Sequence, residues 1–283
     1  MPLHDISYQH YRGQRLSRRE RSLALARSSF ALLLKKRRFL ILLFATWVPA
    51  LVRAVQIYVA RQLPQTPDWL EVGPRLFQSF LTQQVSPSPF VLLVALFAGA
   101  GAVAGDLRSG ALIVYLSKPI TRLDYIVGKV VPVAGFLLAI TLLPALLLLL
   151  FALSVASDFR LLQEHPWLPV SIILYSIWVS ATFSLTVLAV SSLTRSGRLA
   201  AAGFVLAALG SHFFYLVVSR LSFGGLPPYL SVFASSVHVA DLFFGGDSRY
   251  TGSPYVSLVT TGLLMAGAWF VIDRRLRSTE VVQ

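Results

Sequence analysis

Long apolar runs alternate with short polar connectors along the chain. Six stretches read as predominantly apolar: residues 39–60, 89–105 (continuing toward Leu107), 126–155, 167–193, 199–218 and 255–272. Each is close to or above the roughly 20 residues needed to cross about 30 Å of hydrocarbon. Within hydrocarbon every backbone polar group must be paired inside the segment, so the pattern predicts helices. The expectation is an all-α polytopic membrane protein with six transmembrane helices. The first run is too long for the apolar core of a cleaved signal peptide and reads as a retained span.

The remaining segments have their own character. From Ser22 onward, Leu23, Ala26, Phe30, Leu33 and Leu34 recur at helical spacing, with Ser22 and Ser29 on the other face. Arg27 interrupts the apolar face and would have to snorkel. This predicts an amphipathic helix lying in the membrane interface. Residues 61–88 contain Pro64, Pro67, Pro74 and Pro87 and read as a loop with one short helix. Residues 221–253 are apolar but broken by Gly and Pro-Pro. The run from Pro228 to Asp241 is too short to span, so it predicts a short helix at or dipping into the interface. The organisation is a basic tail with its helix (1–38), a six-span domain (39–273) and a short tail (274–283).

Composition and charge fit this picture. The 283 residues are 55% hydrophobic and only 13% charged, with a net charge of +13. With an even number of spans, both termini share one side. That side then carries nineteen Lys and Arg against five on the other, with Arg53 inside the first span. The positive-inside rule makes it the cytoplasmic side. Orientation therefore accounts for the basic balance without a nucleic-acid partner. In span 1, Arg53 reads as snorkelling or pairing near the outer face. Pro132 and Pro144 predict kinks in span 3.

Catalytic chemistry is sparse. There are no cysteines, and the five histidines (His4, His10, His165, His212, His238) lack metal-ligand spacing, although Glu164 adjoins His165. No G-x-S-x-G occurs. Gly128-Lys129 is followed by Val130 without an upstream glycine loop, so no nucleotide-binding motif is present. Asp106 and Asp273 sit at span ends rather than at mid-membrane, which argues against an ion-coupled carrier. No cofactor or metal is expected in this chain.

The polar connector "SKPITRLDYIVGK" (117–129) holds the densest chemistry. Thr121-Arg122-Leu123-Asp124 has the form of a capping box, and Ile120 and Tyr125 occupy hydrophobic-staple positions. Pro119 discourages helix at Lys118. Upstream, Leu107, Ala111, Val114 and Tyr115 recur at helical spacing, giving a short helix over about 106–118. From the residues alone, an ordinary capped connector explains the stretch as well as a docking element does.

The stretch "FAGAGAVAGDLRSGALIVYLSKPITRLDYIVGKVV" (97–131) resembles the signature region of ABC-2 type transporter permeases, with the flavour of the subgroup associated with multicopper-enzyme maturation. The resemblance rests on Asp106, Arg108, Gly110, Ala111, Leu112, Leu116, Ser117, Pro119, Ile120, Thr121, Arg122, Gly128 and Lys129. The family commonly has an adjacent Glu-Arg pair, whereas here Leu107 separates Asp106 from Arg108.

The resemblance implies a coupling helix at 106–118 seated in a cytoplasmic ABC ATPase subunit. It implies two such subunits, a second permease copy (homodimer or heterodimer), and ATP and Mg bound by the partner. Asp106, Arg108, Lys118, Pro119, Thr121, Arg122, Asp124 and Lys129 are then the ATPase-coupling residues. Gly99, Gly101, Gly105, Phe204, His212 and Tyr215 are placed along the translocation path. The glycines also fit ordinary tight helix packing, and His212 also fits an interhelical hydrogen bond. The expected setting is a bacterial or archaeal cytoplasmic membrane. Competing expectations are a membrane anchor for an ATPase doing mechanical or regulatory work, and an ATP-independent secondary carrier. An importer is disfavoured because no E-A-A-x-x-x-G loop occurs.

Overall fold

The computed structural model describes residues 18–62, 71–86, 89–111, 121–156, 160–221, 228–246 and 250–280. Lys118, Pro119 and Ile120 lie outside these residues, as does most of the expected coupling helix. Among the described residues the chain is helical without strands, and six helical stretches are long and apolar enough to cross a membrane. The all-α, six-span expectation is met.

Span 1 is not one helix. It consists of α1's successors α2 (Arg37–Ala45) and α3 (Val48–Gln62), where α1 is the N-terminal helix Arg18–Leu34. The break at Thr46 and Trp47 follows from Pro49, which has no amide hydrogen and whose ring crowds the carbonyl four residues back. At the break, the Thr46 carbonyl accepts from Gln84 Nε2 at 3.2 Å. Both residues are fully buried. Gln84 belongs to α4 (Pro74–Val85), the short helix expected in the first outer segment, with Pro74 at its first turn.

Span 2 is also divided. α5 (Phe90–Gly99) ends within the glycine-rich stretch, and α6 (Ala104–Ser109) restarts the helix. Gly110 then adopts φ +69, a left-handed helix stop. Span 3 is α7 (Arg122–Ala156), a 35-residue helix running unbroken through Pro132 and Pro144. At 1.5 Å per residue it is about 52 Å long, well beyond the roughly 30 Å of hydrocarbon. After α8 (Arg160–Glu164) come span 4, α9 (Leu168–Leu193), and span 5, α10 (Gly197–Leu221). A 3-10 turn (Pro228–Leu230) and α11 (Val232–Phe244) precede span 6, α12 (Pro254–Glu280).

Spans 2, 3 and 4 form the packed middle, while spans 1, 5 and 6 expose long apolar faces. α1 packs along the first turns of α7. Leu25 lies over Gly128, where a Cβ would meet its Cδ2 at 2.7 Å, and Phe30 lies over Gly135. The Phe30 and Phe136 rings sit 4.9 Å apart. The buried face of α1 is thus Leu25, Ala26 and Leu33, while Leu23, Leu34 and Arg27 are exposed. Ala26, Phe30 and Leu33 of the expected apolar face pack against span 3, whose glycines bring Leu25 in place of Leu23 and leave Leu34 exposed. Arg27 therefore needs no snorkelling through an apolar face.

α11 is the short helix expected before span 6. Its 13 residues reach about 20 Å, too short to cross. It is enclosed by α4 and by spans 4, 5 and 6. Ser231 Oγ caps it, accepting from Ala234 N at 3.1 Å, and Gly245 (φ +63) ends it. Side chains from three neighbours fix it: Ser171 donates to Phe243 O (2.6 Å), Gln78 Nε2 donates to Asp241 Oδ1 (2.7 Å), and His238 Nδ1 meets Ser257 Oγ (2.8 Å). This end of the bundle is called the capped end below, and the end bearing α1 the basic end.

The glycines of span 2 can be told apart by substitution. A Cβ on Gly99 would collide with the branched Val187 side chain, whereas Gly105 faces open space. Gly99→Ala should therefore cost about 1–3 kcal/mol through overpacking, and Gly105→Ala should leave this packing intact. Thermal unfolding midpoints in detergent will show a clear drop for the first variant only.

Candidate functional site

At the basic end, span 2 and span 3 are joined by charge. Asp106, in the first turn of α6, meets Lys129 Nζ at 2.7 Å. Tyr125, fully buried, donates its hydroxyl to the same carboxylate oxygen at 2.8 Å. Lys129 Nζ also lies 5.6 Å from the Tyr125 ring centroid. The lysine and aspartate side chains keep only 10% and 17% exposure. Helical spacing makes this possible: Tyr125 and Lys129 are four residues apart on α7 and present one face.

The capping box forms at the start of α7. Thr121 N and Oγ1 donate to Asp124 Oδ2 at 3.1 and 2.7 Å, and Asp124 N donates to Thr121 Oγ1 at 3.3 Å. Asp124 is buried, Thr121 is exposed and Arg122 is half-buried. Arg108 is exposed at the end of α6. The basic partner of Asp106 is therefore Lys129, not the nearby Arg108. Tyr125 was expected only as a staple residue, and its hydroxyl instead anchors Asp106. The connector between α6 and α7 is thus clamped where it leaves span 2 and capped where it enters span 3.

Directly above the clamp lies the break in span 2. Ser191 of span 4 serves it three times. Its hydroxyl donates to Ala100 O (2.8 Å) and accepts from Val103 N (3.2 Å) and Ala104 N (3.0 Å). A single side chain thus supplies partners for three backbone groups that an intact helix would pair itself. Close approach supports the same joint. A Cβ on Gly197, at the start of span 5, would lie 3.3 Å from the Gly101 Cα. Gly99, Gly101 and Gly105 therefore play three roles: contact with span 4, contact with span 5, and none.

The other path candidates lie elsewhere. Phe204 is buried and lines a cavity between spans 4, 5 and 6. His212 Nδ1 meets Ser231 Oγ at 2.9 Å, tying span 5 to the cap of α11. Tyr215 packs its ring 6.3 Å from Tyr250. Arg53 donates to Gln56 Oε1 at 2.7 Å and reaches Gln83 Oε1 at 3.5 Å, so it is paired within protein. Among the described residues, no three His, Asp or Glu side chains cluster to hold a metal ion.

Sequence reasoning did not find Ser191, Gly197 or Gln84. Their partners lie 38 to 96 residues away, and nothing local marks them. A second missed group is His238, fully buried in α11. Its Nδ1 pairs with Ser257, while Nε2 has no hydrogen-bond partner among the described residues. Burial pushes the imidazole pKa below the ordinary histidine value.

Comparison with protein families places residues 23–235 in the family described as ABC-2 family transporter protein. The match runs from within α1 into α11 and includes the whole clamp. No curated protein matches the chain.

Two measurements probe these features. Removing one member of the Asp106–Lys129 pair strands a nearly buried charge and should cost about 3 kcal/mol or more. Asp106→Asn with Lys129→Met should cost less than the sum of the single variants, read as a double-mutant cycle of unfolding in detergent. For His238, the folded pKa lies below the unfolded value near 6.5. The unfolded chain then binds the proton first, so stability present above pH 6.5 is lost as pH falls through that value. His238→Gln should remove this part of the acid sensitivity, seen in unfolding midpoints recorded across pH 5–8.

Proposed function

The chain belongs to the ABC-2 family of transporter proteins, and from that membership we propose that it is the permease subunit of an ATP-driven exporter. It is a multi-pass membrane protein of an ABC transporter. ATP hydrolysis falls to a partner ATPase, which binds ATP and Mg. The complex in this reading has two ATPase subunits and two permease copies, with the basic end and both termini in the cytoplasm. In this reading the chain falls in the subgroup associated with multicopper-enzyme maturation, a label that assigns no substrate.

One observation carries the coupling reading: the clamp of Asp106 by Lys129 and Tyr125, set beside the capped start of span 3. A force applied at the connector can do work on the spans only if the connector does not fray or slide. The ion pair and the capping box resist both motions. Arg108 and Arg122 flank the connector and are the groups offered to the ATPase. Charges at the rim of such an interface set register and encounter more than affinity. In this reading Asp106, Thr121, Asp124 and Lys129 act by stiffening the joint, not by touching the partner.

The break at 100–103 then gives α6 a place to pivot. Movement of the connector would be passed to α7 through the ion pair and to span 4 through Ser191. Transport, rather than mechanical anchoring, is the favoured outcome because family members are described as transporters.

The test is reconstitution of the full chain with the ATPase that co-purifies with it. Arg108→Glu and Arg122→Glu should each lower coupled ATP hydrolysis and vectorial transport about tenfold, equal to ~1.4 kcal/mol, while the permease still folds. Normal transport by both variants in an assembled complex would sink the coupling assignment. Steady ATP turnover with no vectorial movement would favour the anchoring role.

A further inference from the structure

Spans 5 and 6 both rest on span 4 and on the cap, and a cavity of about 660 Å³ lies between them. This is within the roughly 300–1,000 Å³ of small-molecule sites. The gap stays open because both walls carry small residues: Ala207 and Ala208 on span 5, Gly267 and Ala268 on span 6. Its lining includes the exposed Leu263 and Leu264 of span 6. Among the described residues, charged side chains and histidines are absent from its lining.

The two ends of the cavity differ. Toward the basic end the wall is Val190, Leu193, Phe204 and Val271. Toward the capped end it carries the hydroxyls of Ser211, Tyr229, Ser235, Thr260 and Thr261, with Thr186 lying between. Every one of these hydroxyls already gives its proton to a backbone carbonyl. Ser211 donates to Ala208, Ser235 to Pro228, and Tyr229 to Ser253. Thr260 and Thr261 donate to Ser257, and Thr186 to Thr182. Tyr229 also accepts from Ser253 N, and Thr261 from Trp178. What Ser211, Ser235 and Thr260 have left to offer a ligand is acceptor lone pairs.

A cavity of this kind has a definite selectivity. Its apolar part stays dry and favours hydrocarbon. Its polar part presents free acceptor lone pairs, while its hydroxyl protons are already held by backbone carbonyls. A carboxylate or phosphate, which needs donors, would have to draw these protons away from their carbonyls and would be buried at a cost no cation offsets. A neutral hydroxyl is the group that such an end satisfies. We propose that the cavity between spans 4, 5 and 6 binds an uncharged amphiphile, a single hydrocarbon chain ending in a hydroxyl. The hydroxyl sits at the Ser211, Ser235 and Thr260 end and the chain points toward Leu193. This site does not depend on the ATPase or on the direction of transport.

The test titrates the purified, delipidated full chain in detergent with 1-hexadecanol and, separately, with palmitate at pH 8. Native mass spectrometry reads the bound state. One hexadecanol should bind per chain, at least about tenfold more tightly than palmitate. Gly267→Phe should fill the cavity, because a Cβ there meets no atom within 4 Å, and should weaken hexadecanol binding at least tenfold while unfolding like the wild type. Ala207→Phe blocks the opposite wall and serves if the first variant is unstable. Failure of the wild type to bind, equal binding of palmitate, or unchanged binding in a folded cavity-filled variant overturns the proposal. So does a dimer that the filling variant dissociates, because the cavity would then seat a helix of a second copy.

Discussion

A chain surrounded by hydrocarbon cannot leave a backbone amide or carbonyl unpaired without losing several kcal/mol. The arrangement of this protein follows from where the chain departs from regular helix and what supplies the missing partners. Span 1 breaks before Pro49, and Gln84 covers the Thr46 carbonyl. Span 2 breaks after Gly99, and Ser191 covers three groups at once. α11 never crosses at all, and is sustained by a serine cap, a left-handed glycine and hydrogen bonds from three neighbouring elements. Each irregular segment is thereby pinned to a particular partner, which fixes how the spans are grouped.

The buried ion pair at the basic end belongs to the same logic. An unpaired lysine at 10% exposure would be untenable, and Asp106 answers it together with the Tyr125 hydroxyl. Such a pair adds little net stability compared with an apolar contact, but it punishes any arrangement that separates its members. It therefore specifies that α6 and the start of α7 stay together even though span 2 is divided just above them. The ion pair thus holds together what the interrupted helix of span 2 alone would not.

Much of this architecture was legible in the sequence because single runs of residues carry it. Six apolar stretches, the capping box at Thr121 and Asp124, and the short helix between Pro228 and Asp241 all follow from local pattern. What was not legible depends on residues far apart in the chain. The face of α1 could not be chosen from its own spacing, since Leu23 and Leu25 are both leucines and only Gly128 decides between them. Nothing in the residues around Asp106 named its partner, and the structure gives it Lys129, twenty-three residues on. Ser191 sits in a helix rich in serine, and nothing local sets it apart from Ser192. Span 1 shows the opposite case: Pro49 was visible, and its consequence for the helix was there to be drawn.

Span 4 is the element through which these features meet. Val187 and Ser191 are four residues apart and share one face, turned to the divided part of span 2. Thr186, Val190 and Leu193 follow the same helical spacing on a second face, which floors the cavity between spans 5 and 6. Farther along, Trp178 Nε1 donates to Thr261 of span 6 and Ser171 holds the end of α11. A helix packed this closely transmits rotation rather than absorbing it, because its side chains have no free volume in which to yield. The contacts of Ser191 and Val187 thus tie the break in span 2 to the helix that floors the cavity. The divided part of span 2 and the apolar cavity therefore lie on two faces of the same stretch of span 4, one helix packed from both sides.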